Sequence, residues 1–405
     1  METVVRRTHQ RRLGLWILVS ASLGGCYESN GRGDASDASD TPSDSSVVRI
    51  DPVVSMVAGN GRTYAMRESG SLISWGGRSF GTGTWEMAPR VERDLVGARA
   101  GTFLQDHVCF VMPDGRARCR GPNSRGELGD GGRAEGTGDA GGVEVLGISD
   151  ATQVCSGYDH GCALRRTGEV SCWGVGYLGD GLVRNEDEPS PPVAVTGIES
   201  ATQVTCGSLF SCALLADATV RCWGGWNGGF IGPLGDGTWE NRPEPVPVRG
   251  LVDVRSIATG FHGSCAVTNG GEVWCWGTPD APHVVDRARD AGPVPIRLDV
   301  TDAVSVDVGD NSLCILHRDG ALSCMGQNGA GNLGRGLPED FTTQYPLSGV
   351  LGLPPAQAVA VGASHSCALL RDGRVTCWGA NLHGQIPAPP ARMIAPADTF
   401  IPGIP

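Results

Sequence analysis

The residues best able to do chemistry in this chain of 405 are its 15 cysteines. Twelve fall into pairs ten positions apart: Cys109/Cys119, Cys162/Cys172, Cys212/Cys222, Cys265/Cys275, Cys314/Cys324 and Cys367/Cys377. A metal centre would need a third and fourth ligand at a recurring spacing, and none recurs. Each pair is centred on a short turn, such as Arg371-Asp372-Gly373. A three-residue hairpin loop wants a type I turn followed by a residue in the left-handed region. Gly stands there six times, as Gly70, Gly115, Gly168, Gly271, Gly320 and Gly373. Ala218 takes the place in the fourth repeat and should be strained. Such a loop sets the two cysteines opposite each other on a non-hydrogen-bonded site. The Cα atoms there approach to about 4.5 Å, near the lower limit for a disulfide. The spacing therefore predicts six hairpin disulfides.

Cys155 and Cys206 close the matching segments ATQVC and ATQVTC. Their offset of one position reverses side-chain direction. A disulfide joining two neighbouring repeats fits the pair, and so do two buried thiols.

The other chemistry-bearing patterns are weaker. His107, His160 and His365 each stand two residues before the first cysteine of a pair. They are expected to hydrogen-bond between repeats rather than to ring a metal. Asp130, Asp180 and Asp236 recur in Leu-Gly-Asp-Gly. One carboxylate per loop is too few for calcium, which takes about 6–8 oxygens, so these should brace their own turns. G-x-G-x-x-G occurs at 136–141, 174–179 and 329–334, never opening a helix after a strand, which argues against nucleotide binding. No lysine is present. No nucleophile–base constellation or carboxylate dyad stands out. The expectation is a protein without catalytic residues, cofactor or metal.

One loop has the makings of a binding site. The stretch GGWNGGFIGPLGDGTWENRP (224–243) carries Trp226, Phe230 and Trp239. Aromatics on a surface loop suit a protein hot spot or a sugar-stacking platform. The alternative is that the tryptophans fold back on their own repeat.

The elements that must position these residues repeat too. Each cysteine pair ends in Cys-Trp-Gly or a relative of it, with Trp75, Arg120, Trp173, Trp223, Trp276, Met325 and Trp378 at the tryptophan position. Their spacing matches the roughly 50 residues of a four-stranded propeller blade. The first repeat has Tyr64 and Ser74 where the others have cysteines. Both are replaced together, as residues that work only as a pair would be. The fold class is all-β: a seven-bladed β-propeller of four-stranded antiparallel blades spanning 47–405. Either 47–50 or the tail around 399–401 could complete a terminal blade.

Upstream the chain changes character. Arg6, Arg7, Arg11 and Arg12 precede an apolar run from Leu13 to Leu23 that is too short for a transmembrane helix. The run ends in Leu-Gly-Gly-Cys26, which resembles a bacterial lipobox whose cysteine is acylated. Residues 1–25 are therefore expected to be a lipoprotein signal peptide. Residues 26–46, small, polar and acidic, are expected to be a disordered tether. Tyr27 after the cysteine leans towards the outer membrane, facing the periplasm or the cell surface. An oxidising compartment suits disulfides. Without residues 1–25 the chain has 28 basic and 43 acidic residues, a net charge of −15. That repels phosphate backbones and argues against nucleic acid.

The unit G-x-x-H-x-C-A-L, Gly turn, V-x-C-W-G, G-x-L-G-D-G resembles the regulator of chromosome condensation repeat. Residues 157–181, GYDHGCALRRTGEVSCWGVGYLGDG, show it well. The resemblance covers about 50–390 and implies a seven-bladed propeller. Members include a nuclear exchange factor for a small GTPase and a secreted β-lactamase inhibitory protein. The resemblance leaves the function open. The expectation is a monomeric, lipid-anchored, extracytoplasmic module that binds a protein, to interact with it or inhibit it. Carbohydrate binding or adhesion is the alternative, and an enzyme with an axial site is less favoured. Repeat one lacks the cysteines, repeat two has Arg120 for Trp, and repeat seven has GQIPAPP in place of the Leu-Gly-Asp-Gly loop.

Overall fold

The described residues of the computed structural model are 51–386, without 78–87, 134–141, 185–187, 226–233, 279, 283–291 and 383. They form a β-propeller of seven antiparallel blades. Blade four shows the pattern: Ala201–Cys206, Phe210–Leu215, Val220–Gly224 and Arg242–Pro247, paired in sequence order from axis to rim. Six blades have four strands. The seventh shows three, Ala356–Val361, His365–Leu370 and Val375–Gly379. Both segments considered for its fourth strand lie outside the described residues.

Each hairpin has the geometry the spacing predicts. Leu370 N–H donates to Arg374 O at 2.8 Å, and Gly373 N–H to Leu370 O at 3.0 Å. Gly373 has φ of +83°. Ala218 closes the same turn at φ +64°, a conformation a Cβ disfavours by about 1–2 kcal/mol. The cysteine pairs lie directly across the ladder, as in Cys162 opposite Cys172. All six hairpin pairs are disulfide-bonded, with Cα separations of 4.0–4.1 Å.

What these disulfides do becomes visible between blades. Cys109 and Cys119 of blade two share a packed cluster with Trp173 of blade three. Cys162–Cys172 shares one with Trp223, Cys212–Cys222 with Trp276, and Cys314–Cys324 with Trp378. Cys265–Cys275 shares one with Met325. Cys367–Cys377 of the last blade packs with Trp75 of the first, which closes the ring. In each case the disulfide of one blade is covered by the large apolar side chain of the next. The five tryptophans are at most 1% exposed.

The interface of blades one and two has neither partner. Tyr64 and Ser74 stand directly opposite in the cysteine positions. Arg120 comes from blade two in place of Trp. Its guanidinium donates to Tyr64 Oη at 2.7 Å and pairs with Glu92 at 2.9 Å. It also lies 5.3 Å from the ring centroids of Tyr64 and Phe110. Ser74 Oγ donates to Glu92 at 2.5 Å. The departures in repeats one and two are therefore one replacement: a buried polar network substitutes for disulfide and tryptophan together. Burial alone would raise the Glu92 pKa, but Arg120, Ser74 and Arg90 bring it down to about 2.

Three outcomes are expected. Arg120→Ala leaves Glu92 buried without its cation and should cost about 3–5 kcal/mol in chemical denaturation. Glu92 is held ionised, so its contribution is intact above its unfolded-state value near 4.3. It should be lost as the pH falls from there through about 2. Ala218→Gly should raise stability by about 1 kcal/mol, because the strained turn is relieved.

Candidate functional site

Antiparallel order sends the inner-to-second and third-to-outer connections to one end of the propeller. The disulfide hairpins lie at the other end. The first face is crowded at the axis. Gly260, Gly309 and Gly362 occupy equivalent corners after the inner strands, and a Cβ on each would lie 2.1–2.5 Å from a carbonyl of the next blade's corner. Only Gly lets the blades approach this closely.

Inside that ring, side chains bridge the inner strand edges. Gln203 accepts from Ile257 N–H at 2.9 Å and donates to Ile257 O at 2.7 Å. Gln153 accepts from Val204 N–H at 3.1 Å. Asp307 accepts from Val361 N–H at 2.7 Å. The strands enclose an axial cavity of about 240 Å³.

The three histidines are buried links between neighbouring blades. His160 Nε2 lies 2.8 Å from Ser211 Oγ, and His365 Nε2 lies 2.8 Å from Thr63 Oγ1. His107 Nε2 donates to His160 O at 3.3 Å. Burial lowers their pKa values to about 3 for His160 and about 4 for His107 and His365. The neutral rings are held in packed interfaces.

The loop aspartates are engaged locally. Asp130 accepts from Gly132 N–H at 2.9 Å and Asp180 from Leu182 N–H at 3.2 Å. Asp236 accepts from Thr238 N–H at 2.9 Å and from Arg242 Nε at 2.9 Å.

Cys155 and Cys206 form a disulfide between blades three and four, with Cα atoms 5.5 Å apart. Cys155 lies opposite Cys162 in its own blade, and the Sγ atoms of Cys155, Cys162 and Cys206 are within 4.8 Å of one another. Among the described residues this is the one such group of potential metal ligands, and its sulfurs are spent in disulfides.

Of the aromatic loop, Trp239 is half-buried. Trp226 and Phe230 lie outside the described residues, as does Cys26. Sequence reasoning missed a second aromatic group on the same face. Tyr158 is 43% exposed and meets the Phe261 ring edge-on, with centroids 6.2 Å apart. Phe261 stacks edgewise on His262 at 4.7 Å, and its carbonyl accepts from Ser208 Oγ at 2.8 Å. Tyr158 and Phe261 both directly follow a corner glycine, and that shared position was the signal available. Asp307 was missed too; it is the single charged residue among the inner-strand positions opposite a hairpin cysteine.

The three buried histidines give a pH dependence. Their folded pKa values are depressed, so the unfolded chain takes up protons first as acid is added. Stability from this source is complete above the unfolded value near 6.5. It should fall steadily as the pH drops towards about 4. Equilibrium denaturation from pH 8 to 4 checks this, and removing one ring by His365→Asn should flatten the slope.

Four segments of the chain, 151–179, 201–228, 254–280 and 356–385, match the regulator of chromosome condensation (RCC1) repeat. The chain is 31% identical over 255 residues to the mouse E3 ubiquitin-protein ligase HERC2, covering 60% of this chain and 5% of that protein. It is 29% identical over 167 residues to the Arabidopsis thaliana ultraviolet-B receptor UVR8, covering 40% and 38% respectively. The chain thus spans well under half the length of these relatives. Among solved structures, Prp20p from Saccharomyces cerevisiae superposes with a TM-score of 0.67 at 21% identity, covering 86% of each chain. Human WBSCR16 gives 0.65 at 21% identity, over 78% of this chain and 86% of that one. These likenesses show the fold.

Proposed function

We propose that this chain, a propeller of regulator of chromosome condensation repeats, is a lipid-anchored extracytoplasmic module that binds a protein through its glycine-corner face. The repeats make it a likeness of interaction modules: the structure of Prp20p was described together with its binding to Gsp1p and histones. The observation that carries the reading is the gathering of partly exposed aromatic side chains, Tyr158, Phe261 and Trp239, on that one face. Aromatic rings that are rigid and half-seated supply contact area at small entropic cost, which is why hot spots use them. The disulfide face offers short turns braced by their own hydrogen bonds, such as Asp372 accepting from Arg374 N–H at 3.0 Å.

Cys26 would carry the lipid, and residues 26–46 would give the propeller reach from an outer membrane. The partner would be a protein of that compartment, either bound as a scaffold or inhibited. Carbohydrate binding is the second reading, favoured by the exposed flank of the Tyr158 ring.

Crosslinking and affinity purification of the lipidated protein from its native membrane should recover one principal protein. Tyr158→Ala combined with Trp239→Ala should reduce that recovery at least tenfold, without lowering the melting temperature. Unchanged recovery would contradict the assignment of this face. Loss of binding to a glycan array in place of a protein would establish the carbohydrate reading. Cys26→Ser should abolish incorporation of labelled palmitate and leave the propeller in the soluble fraction.

A further inference from the structure

The axial cavity of about 240 Å³ has a mixed wall, with apolar side chains such as Met56, Ile257 and Val306 beside neutral polar ones such as Thr102, Thr205 and Ser305. Asp307 is the one titratable side chain in that wall among the described residues. The propeller does not require a carboxylate there. The same register position holds Val57, Thr205, Ala258 and Ala360 in other blades.

Asp307 faces no cation in the cavity wall. Its carboxylate takes the N–H groups of Val361, at 2.7 Å, and of Val308. A largely desolvated carboxylate without a counter-charge opposes folding. Burial accordingly pushes its pKa up to about 7, against those two hydrogen bonds. A second polar group of the wall lacks a partner: Ser256 Oγ is buried without a hydrogen bond among the described residues. One acid, one unpaired hydroxyl and a wall of mixed aliphatic and neutral polar side chains form a set that suits a small cation with a short alkyl tail.

Size points the same way. The cavity holds about eight water volumes of roughly 30 Å³ each. It is below the roughly 300 Å³ where drug-sized sites begin. Asp307 precedes the corner Gly309 by two residues, and Asp310 follows it directly. The two acids therefore stand on either side of Gly309 along one strand and its turn. Burial also raises Asp310 to about 7.

We propose that the axial cavity binds one small organic cation, an alkylammonium or alkylguanidinium group, with Asp307 as its counter-charge and Ser256 as a hydrogen-bond acceptor. The group could arrive as a free amine or as the tip of a partner's Lys or Arg. The site does not depend on which macromolecule the outer face binds.

Calorimetric titration of the whole chain at pH 8 with n-butylammonium should show one site, and 1-butanol should bind at least tenfold more weakly. Asp307→Asn keeps an acceptor for Val361 N–H, and should weaken butylammonium at least tenfold while leaving the melting temperature no lower. Among the described residues no other titratable group lines the cavity, and Asp310, three residues further along the chain, carries the same sign. Affinity should therefore drop several-fold from pH 8 to pH 6, as Asp307 takes up its proton. Competition by an acetylated Gly-Lys-Gly amide assigns the cation to a partner's side chain; binding of butylammonium without such competition assigns it to a free amine. If Asp307→Asn does not fold, Ser256→Val, which removes the acceptor and narrows the cavity, gives the same readout. Equal binding of 1-butanol and butylammonium, undiminished binding to Asp307→Asn, or no binding at all would overturn the proposal.

Discussion

A large apolar side chain laid over the neighbour's disulfide is the contact on which this propeller depends. A blade alone is a small twisted sheet with two faces to cover. The hairpin disulfide lowers the entropy of its own unfolded hairpin by up to about 3 kcal/mol. Its larger consequence is a rigid, desolvated platform at a fixed place on the blade surface. Trp223 of blade four packs with Cys162–Cys172 of blade three, and Trp75 of blade one packs with Cys367–Cys377 of blade seven. The chain is thereby joined end to end without a covalent bond across the closure. The histidine bridges follow the same path, with His365 reaching Thr63 across that closure at 2.8 Å.

The exception clarifies the rule. Where Tyr64 and Ser74 replace the cysteines, Trp is replaced as well, by Arg120, and Glu92 is recruited to neutralise it. A guanidinium stacked on Tyr64 and Phe110 fills the space an indole would fill. Its charge is tolerable because Glu92 supplies the counter-charge and Tyr64 Oη a further acceptor. Covalent and ionic solutions to one packing problem thus sit in the same ring. The ring in turn fixes the inner strands, whose edges are satisfied by Gln153, Gln203 and Asp307 from the neighbouring blade. The faces and the axis are left for binding.

The hairpins were legible in the sequence because what shapes them lies within about a dozen residues: two cysteines and a left-handed Gly between them. The repeat made the fold legible for the same reason. What could not be read is what crosses between blades. Cys155 and Cys206 are offset by one position, which in a single sheet would send them apart. They meet because one belongs to each of two facing sheets, so opposite side-chain directions converge in the gap. Arg120 and Tyr64 each looked like a separate lapse from the pattern, since their partnership spans 56 residues. Asp307 was one acid in a Val-rich strand, and its place on the axis follows only from closing the ring. Trp239 was recognised by composition, yet the face it shares with Tyr158 and Phe261 is set by strand order.

A double-mutant cycle at the interface of blades three and four tests the interlock most directly. One arm replaces Cys162 and Cys172 together by Val, the other replaces Trp223 by Leu, and both are combined. If the disulfide is the seat of the tryptophan, the two losses of stability will be non-additive, with a coupling of about 1–3 kcal/mol. Additivity within about 0.5 kcal/mol would mean that the disulfide only staples its own hairpin, and would contradict its role in holding the ring together.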